Sequence, residues 1–264
     1  MALFKSKGLS YGVNTVVDSA KVKEAEMDFS VLLLRKDESK SFEFAKECAL
    51  LLIQGKAIVK WQDKQEVIER PSCFKDNPVC LLLPSKVGFN IESLEDKTRF
   101  IIMTTENEKS FDPVFFSAQQ CSSEMRGAGT LNECATRIVR SIVSRDVCPK
   151  SNFVMGEVVN YPGKWSSFPP HSHPHPEIYY YNFSPSENGY GITQDGDKAH
   201  IIEEGDALLA LNGDLHPQVA APGYAMFYVW VIRNSDADPY ALPPSIDKHA
   251  WTIEPNVKFF PENE

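Results

Sequence analysis

The chain has 264 residues, 42% hydrophobic and 24% charged, with net charge −9 and a pI near 5.3. That length buries a full core, as one large domain or two small ones. The acidic balance argues against a nucleic-acid footprint or an anionic membrane partner, and no run of about 18 apolar residues is present to span a bilayer.

The opening "MALFKSKGLSYG" lacks the apolar stretch of a secretory signal, so a cytoplasmic location is expected. Strand-length apolar runs then follow at 29–35, 49–61, 80–84 and 99–105, and again at 177–183, 207–211 and 226–233. Gln54-Gly55, Asn212-Gly213 and Pro222-Gly223 read as turns. Many short strands at close spacing predict an all-β protein. One segment is ambiguous: in 133–144, Ala135, Ile138, Val139 and Ile142 recur at helical spacing, yet Ile and Val favour strands. It is expected to be a short helix or an edge strand. The polar stretch 104–130 separates two strand-rich blocks, which predicts two tandem jelly-roll barrels joined within 112–150. The first occupies residues 1–115 and the second, with the linker, 116–264.

The two blocks differ chemically. Cys48, Cys73, Cys80, Cys121, Cys134 and Cys148 precede every histidine, and no histidine occurs before residue 171. The thiol spacings contain no C-x-x-C and are expected to be free in a reducing cytosol. A barrel without histidine cannot build an imidazole-rich metal shell, so the first is expected to be metal-free and non-catalytic. Its apolar run 49–61 is expected to bury against the second barrel or another subunit, and a two-fold homodimer is the simplest assembly.

Histidine chemistry belongs to "HSHPHPE". His171 and His173, two apart, share a face if the segment is a strand, and Glu177 has the same parity. His216 follows a turn framed by Gly205 and Gly213, and completes a set of three imidazoles and one carboxylate. His175 and His200 read as surface histidines.

This constellation resembles the two cupin motifs, with Leu211 where the second usually has proline. "GEVVNYPGKWSSFPPHSHPHPEIYYYNFSP", "LHPQVAAPGYAMFYVWV", "MRGAGTLNECATRIVRSI" and "DKHAW" together resemble the 5-deoxy-glucuronate isomerase family of inositol catabolism. The resemblance covers most of 125–251. It implies a bicupin whose second barrel binds a divalent metal through His171, His173, Glu177 and His216, and an aldose–ketose isomerisation of a deoxy-uronate sugar acid. Where the family has a longer acidic insert between H-x-H and the glutamate, this chain has three residues; where the family has arginine before the second-motif histidine, it has Asn212 or Asp214.

An ion in such a shell is a Lewis acid, and no redox step is needed. Zinc suffices, while Mn, Fe, Co or Ni also suit imidazole. Tyr179, Tyr181, Lys164 and Tyr228 are the candidate proton-transfer groups; Arg126 and Arg137 are the candidate carboxylate cations. A cupin oxygenase and a non-catalytic sugar-binding bicupin are the competing readings.

Overall fold

A computed structural model describes residues 2–211 and 213–262. The strands of the first half are β1 (Ala2–Phe4), β2 (Gly12–Val17), β3 (Met27–Leu34), β4 (Ser39–Phe42), β5 (Glu47–Trp61), β6 (Lys64–Arg70), β7 (Val79–Leu83), β8 (Phe89–Ser93), β9 (Thr98–Thr105) and β10 (Val114–Phe116). Those of the second are β11 (Glu124–Arg126), β12 (Arg137–Val143), β13 (Phe153–Asn160), β14 (Trp165–Ser166), β15 (Glu177–Ser184), β16 (Tyr190–Asp195), β17 (Lys198–Glu203), β18 (Ala207–Ala210), β19 (Gln218–Ala220) and β20 (Ala225–Arg233). The architecture is two tandem jelly-roll barrels. The first is built on the sheet β10-β7-β5-β9-β3-β2, with β6, β8 and β4 attached through β5. The second combines the sheet β1-β18-β15-β20-β13-β12-β11 with the sheet β14-β19-β16-β17.

The division at residue 115 needs one correction. β1 pairs with β18, so the N-terminal residues cover an edge of the second barrel. Alternation explains why: Leu3 packs inside that barrel, while Phe4 joins the core between the barrels. Lys5 and the Ser6 N–H fix the crossing by donating to Asp206 at 2.6 and 2.8 Å.

Three hydrophobic clusters account for the apolar runs. Leu50 and Leu52 of β5 fill the first barrel, whereas Ala49, Leu51 and Ile53 face the second. Both faces of this strand are therefore buried, and the sequence reads as a continuous run rather than an alternation. The run's outward side is spent on the partner barrel within the same chain. On the other side of that interface stand Ile178, Tyr180, Leu209, Phe227 and Val229. Tyr180 thus points out of its own barrel but not into water, its ring 5.6 Å from Phe29. Large aromatics at such a position cost about 3–5 kcal/mol to truncate to alanine.

Gln54-Gly55 is not a turn. β5 runs through it and slips register against β9 between Leu52 and Gln54, then pairs with β6 and β8. Gly55 has φ +109°, and a Cβ there would lie 2.8 Å from the Thr98 Cα. Only glycine lets the strand bend from one sheet into the other. Pro222-Gly223 is a turn as expected; Asn212 lies outside the described residues, and Gly213 has φ +71°. The ambiguous 133–144 segment is a strand over Arg137–Val143, paired on both sides and so not at the edge. All six cysteines are free, and only Cys134 is exposed. Among the described residues, no helix is long and apolar enough to cross a membrane.

Candidate metal centre

His171 and His173 do not lie on a strand. They occupy irregular chain between β14 and β15, among Pro169, Pro170, Pro174 and Pro176, so strand parity is not what brings them together. Glu177 is the first residue of β15, held between Ala210 of β18 and Ile232 of β20. His216 sits on the loop between β18 and β19. The rings converge nonetheless: centroids lie 5.1 Å apart for His171 and His216, and 5.2 Å for His173 and His216. One donor atom from each imidazole lies within 4.8 Å of the others, the one such histidine group found among the described residues. Glu177 Oε2 is 3.0 Å from His173 Nε2 and 3.4 Å from His216 Nε2.

The hydrogen bonds around this cluster decide what fits inside it. His173 Nδ1 faces the His175 carbonyl at 3.1 Å, and His216 Nδ1 faces the Asp214 carbonyl at 2.8 Å. Carbonyls only accept, so both Nδ1 atoms carry protons; in the neutral rings both Nε2 atoms face inward as acceptors, and on His173 that atom meets the Glu177 carboxylate, which also only accepts, so a proton or cation must lie between them. These acceptors and the carboxylate oxygen crowd together at close range, and the buried Nε2 of His216 has no hydrogen-bond partner among the described residues. Lone pairs arranged in this way need a shared cation or proton. The donor set, imidazole nitrogen plus one carboxylate, is that of a divalent transition-metal site.

The titration directions describe a proton shared between His173 and Glu177. Burial, with the neighbouring His216 and His173, pulls His171 down to about 4, which keeps it neutral. Burial alone would lower His173, but the hydrogen bond and charge of Glu177 prevail and raise it. Glu177 is pushed up by burial and brought below its ordinary value by His173 and His216.

A cleft of about 270 Å³ reaches the cluster at His171 and Glu177 and is lined by Arg126, Arg137, Ser166, Tyr179, Tyr228 and Tyr240. A larger groove of about 560 Å³ on the first barrel is lined by Asp28, Lys46 and Thr104. There Lys46 and Thr104 already bond Asp28, each at 2.9 Å, so the chemistry is assigned to the smaller cleft. Tyr179 packs 5.8 Å from His216 and 5.5 Å from Tyr228. Burial, reinforced by the Glu177 charge, holds its hydroxyl well above the ordinary tyrosine value. Tyr228, paired with Ser166, is pushed up to about 12 by burial against the opposing effects of Ser166 and Arg137. Arg137 donates to the Ala135 carbonyl at 2.8 Å, and Arg126 to Glu124 at 3.0 Å.

Two expected residues stand elsewhere. Tyr181 lies one inward position deeper than Tyr179 and donates to Gln218 at 2.6 Å. Lys164 is partly exposed and does not line the cleft; its carbonyl accepts from Ala220 at 3.1 Å. His200 pairs with Asp195 on the β16–β17 hairpin at 2.9 Å. His175 is not solvent-facing: its Nε2 donates to the Asp238 carbonyl at 2.9 Å. Ser166, Tyr240 and the role of His175 escaped the sequence reading. Ser166 sits inside a quoted motif, whereas nothing in the spacing around Tyr240 marks it.

A model described as the KduI/IolB family matches residues 3–252. The protein named 5-deoxy-glucuronate isomerase of Geobacillus thermodenitrificans (strain NG80-2) is 26% identical over 259 residues, covering 86% of each chain. The crystal structure of an IolB-like protein from Salmonella typhimurium LT2 superposes with a TM-score of 0.84 at 22% identity, covering 95% of this chain and 98% of that one. The oxalate decarboxylase of Lactobacillus farciminis, in its formate complex, gives a TM-score of 0.65 at 11% identity, with 94% and 88% covered. The last two likenesses concern the fold.

Proposed function

The chain belongs to the KduI/IolB family, and from that premise we propose that it is a metal-dependent aldose–ketose isomerase of a deoxy-uronate sugar acid. The substrate in its relatives' name, 5-deoxy-glucuronate, is the first candidate. The observation that carries the reading is the convergence of His171, His173, His216 and the Glu177 carboxylate at the end of a cleft that also holds two arginines.

His171, His173, Glu177 and His216 would hold a divalent ion, for which zinc would suffice, and such an ion would supply Lewis-acid chemistry at the sugar carbonyl. The protein's own groups do the rest. Arg126 and Arg137 receive the substrate carboxylate, since a guanidinium matches its two oxygens. Tyr179 stays protonated at neutral pH and donates to a sugar oxygen. Tyr228 is assigned the proton transfer between the two carbons. Burial and the Glu177 charge disfavour the phenolate of both tyrosines, but at Tyr228 Ser166 and Arg137 act against them. The barrel wall, with Val139, Val158 and Trp230 in the cleft, limits water around the enediolate.

The test is a screen of deoxy-uronates with metal-loaded protein, followed by NMR under nitrogen. Conversion of an aldehyde to a ketone is expected. A strict need for oxygen, or no turnover of any uronate despite bound metal, overturns the reading.

A further inference from the structure

We propose that Tyr240 is a substrate-contacting residue, and that His175 is the positioning residue that holds it over the site. The inference rests on the isomerase reading of the cleft and deepens it with a residue outside both barrel motifs.

Among the described residues, the chain does not re-enter a sheet after β20. Residues 234–246 pass the imidazole cluster as a strap. One end is tied where the Asn234 N–H donates to the Asn152 carbonyl at 2.9 Å, the other where the Ile246 N–H donates to the Pro170 carbonyl at 3.0 Å. Arg145 adds bonds to the Ser235 carbonyl at 3.0 Å and to Asp236 at 2.8 Å. The Tyr240 N–H donates back to the Asn234 side chain at 2.9 Å, which fixes where Tyr240 leaves the strap.

The middle of the strap is held by His175. Its Nε2–H donates to the Asp238 carbonyl at 2.9 Å, so that nitrogen is committed to the strap rather than turned towards the cluster. Tyr240 then stands edge-on to His173 at 5.3 Å and 82°, and edge-on to His175 at 5.6 Å and 84°. It is wedged between a candidate ligand and the latch, and it lines the same cleft as Arg137, Tyr179 and Tyr228. A half-buried tyrosine normally finds a partner for its hydroxyl. Among the described residues the Tyr240 hydroxyl has none, and an oxygen of a polyhydroxy acid in the cleft would accept its proton. Leu242, two residues on, lines the cleft while 76% exposed, so the strap also supplies an apolar rim at the entrance.

The experiment uses the full-length, metal-loaded protein with 5-deoxy-glucuronate as substrate. Tyr240→Phe removes one hydrogen bond made equally to substrate and transition state. KM should rise about 3- to 10-fold with kcat within about twofold. His175→Ala should raise KM in the same way at unchanged metal stoichiometry. His175→Gln, whose amide N–H reaches for the same carbonyl, should restore KM to within about twofold of wild type. A wild-type KM in Tyr240→Phe overturns the role of Tyr240. Metal loss in His175→Ala, or a His175→Gln variant as impaired as His175→Ala, overturns the latch. Calorimetry with D-glucuronate separates this inference from its premise. If wild type binds the probe but isomerises no uronate, the isomerase reading falls, and Tyr240 is judged on whether its Phe variant binds more weakly. If wild type neither binds nor turns over any uronate, both fall.

Discussion

Glu157 is the residue whose loss should cost the fold most. It lies in the middle of β13, fully buried, and its Oε1 accepts from Arg70 of β6 and from Arg140 of β12, the latter at 2.7 Å. Two guanidiniums, 0% and 2% exposed in their side chains, therefore share one carboxylate oxygen across the junction of the barrels. Arg70 also donates to the Leu52 and Asp76 carbonyls, each at 2.9 Å, and Arg140 to the Cys73 carbonyl at 2.8 Å and the Ser123 hydroxyl at 3.0 Å, while the buried Arg70 Nε has no hydrogen-bond partner among the described residues. Glu157→Gln keeps the volume and removes the charge, leaving two buried cations facing each other. Breaking a buried ion pair from one side costs about 3–5 kcal/mol, a large part of the 5–15 kcal/mol roughly typical of a domain. Arg70→Met should cost less, because it leaves Glu157 and Arg140 as a balanced pair. Urea unfolding followed by tryptophan fluorescence measures both. A loss below about 1 kcal/mol for Glu157→Gln, or a larger loss for Arg70→Met, refutes the reasoning.

Further outcomes follow from the site and the strand geometry. His173→Ala and His216→Ala should each lose bound metal while far-UV circular dichroism stays that of an all-β fold; stoichiometric metal in either argues against its place in the shell. In the double variant His171→Ala/His216→Ala, elemental analysis should find no metal at all, and a residual equivalent would place a second site elsewhere, the first barrel included. His171 has a folded pKa of about 4, below its ordinary 6.5. The unfolded chain therefore binds more protons between those values, and the metal-free protein should lose stability as pH falls from 6.5 towards 4; His171→Asn should flatten that part of the pH–stability profile. Gly55→Ala should destabilise by more than about 1 kcal/mol in the same urea assay, because φ is positive and the added Cβ meets the Thr98 backbone.

The parts of the fold legible in the sequence are those where burial is one-dimensional. β5, β9 and β20 bury both faces in two different cores, so each shows as an unbroken apolar run. The imidazoles and Glu177 were legible because their chemistry has few other uses at that spacing, although His171 and His173 converge through a proline-rich loop rather than along a strand. β13 was not legible as a strand: "FVMGEVVN" carries a carboxylate at its centre, and the two guanidiniums that make that charge tolerable inside come from Arg70, 87 residues away, and Arg140, 17 away. β5 was broken in the sequence reading at Gly55 because glycine marks a turn and a bend alike. The same limit hid Tyr240 and His175. A strap has no periodicity, and its bonds run to Asn152, Pro170 and His175, which no local pattern connects.

Metal-dependent isomerisation is tested most directly by stripping the wild-type protein with a chelator and adding zinc back under nitrogen. NMR then follows 5-deoxy-glucuronate in parallel with the His216→Ala variant. The account predicts no conversion by the stripped protein, recovery in wild type as zinc approaches one equivalent per chain, and none in the variant at any zinc level. Full activity of the stripped wild type, or zinc-restored activity in the His216→Ala variant, would contradict it.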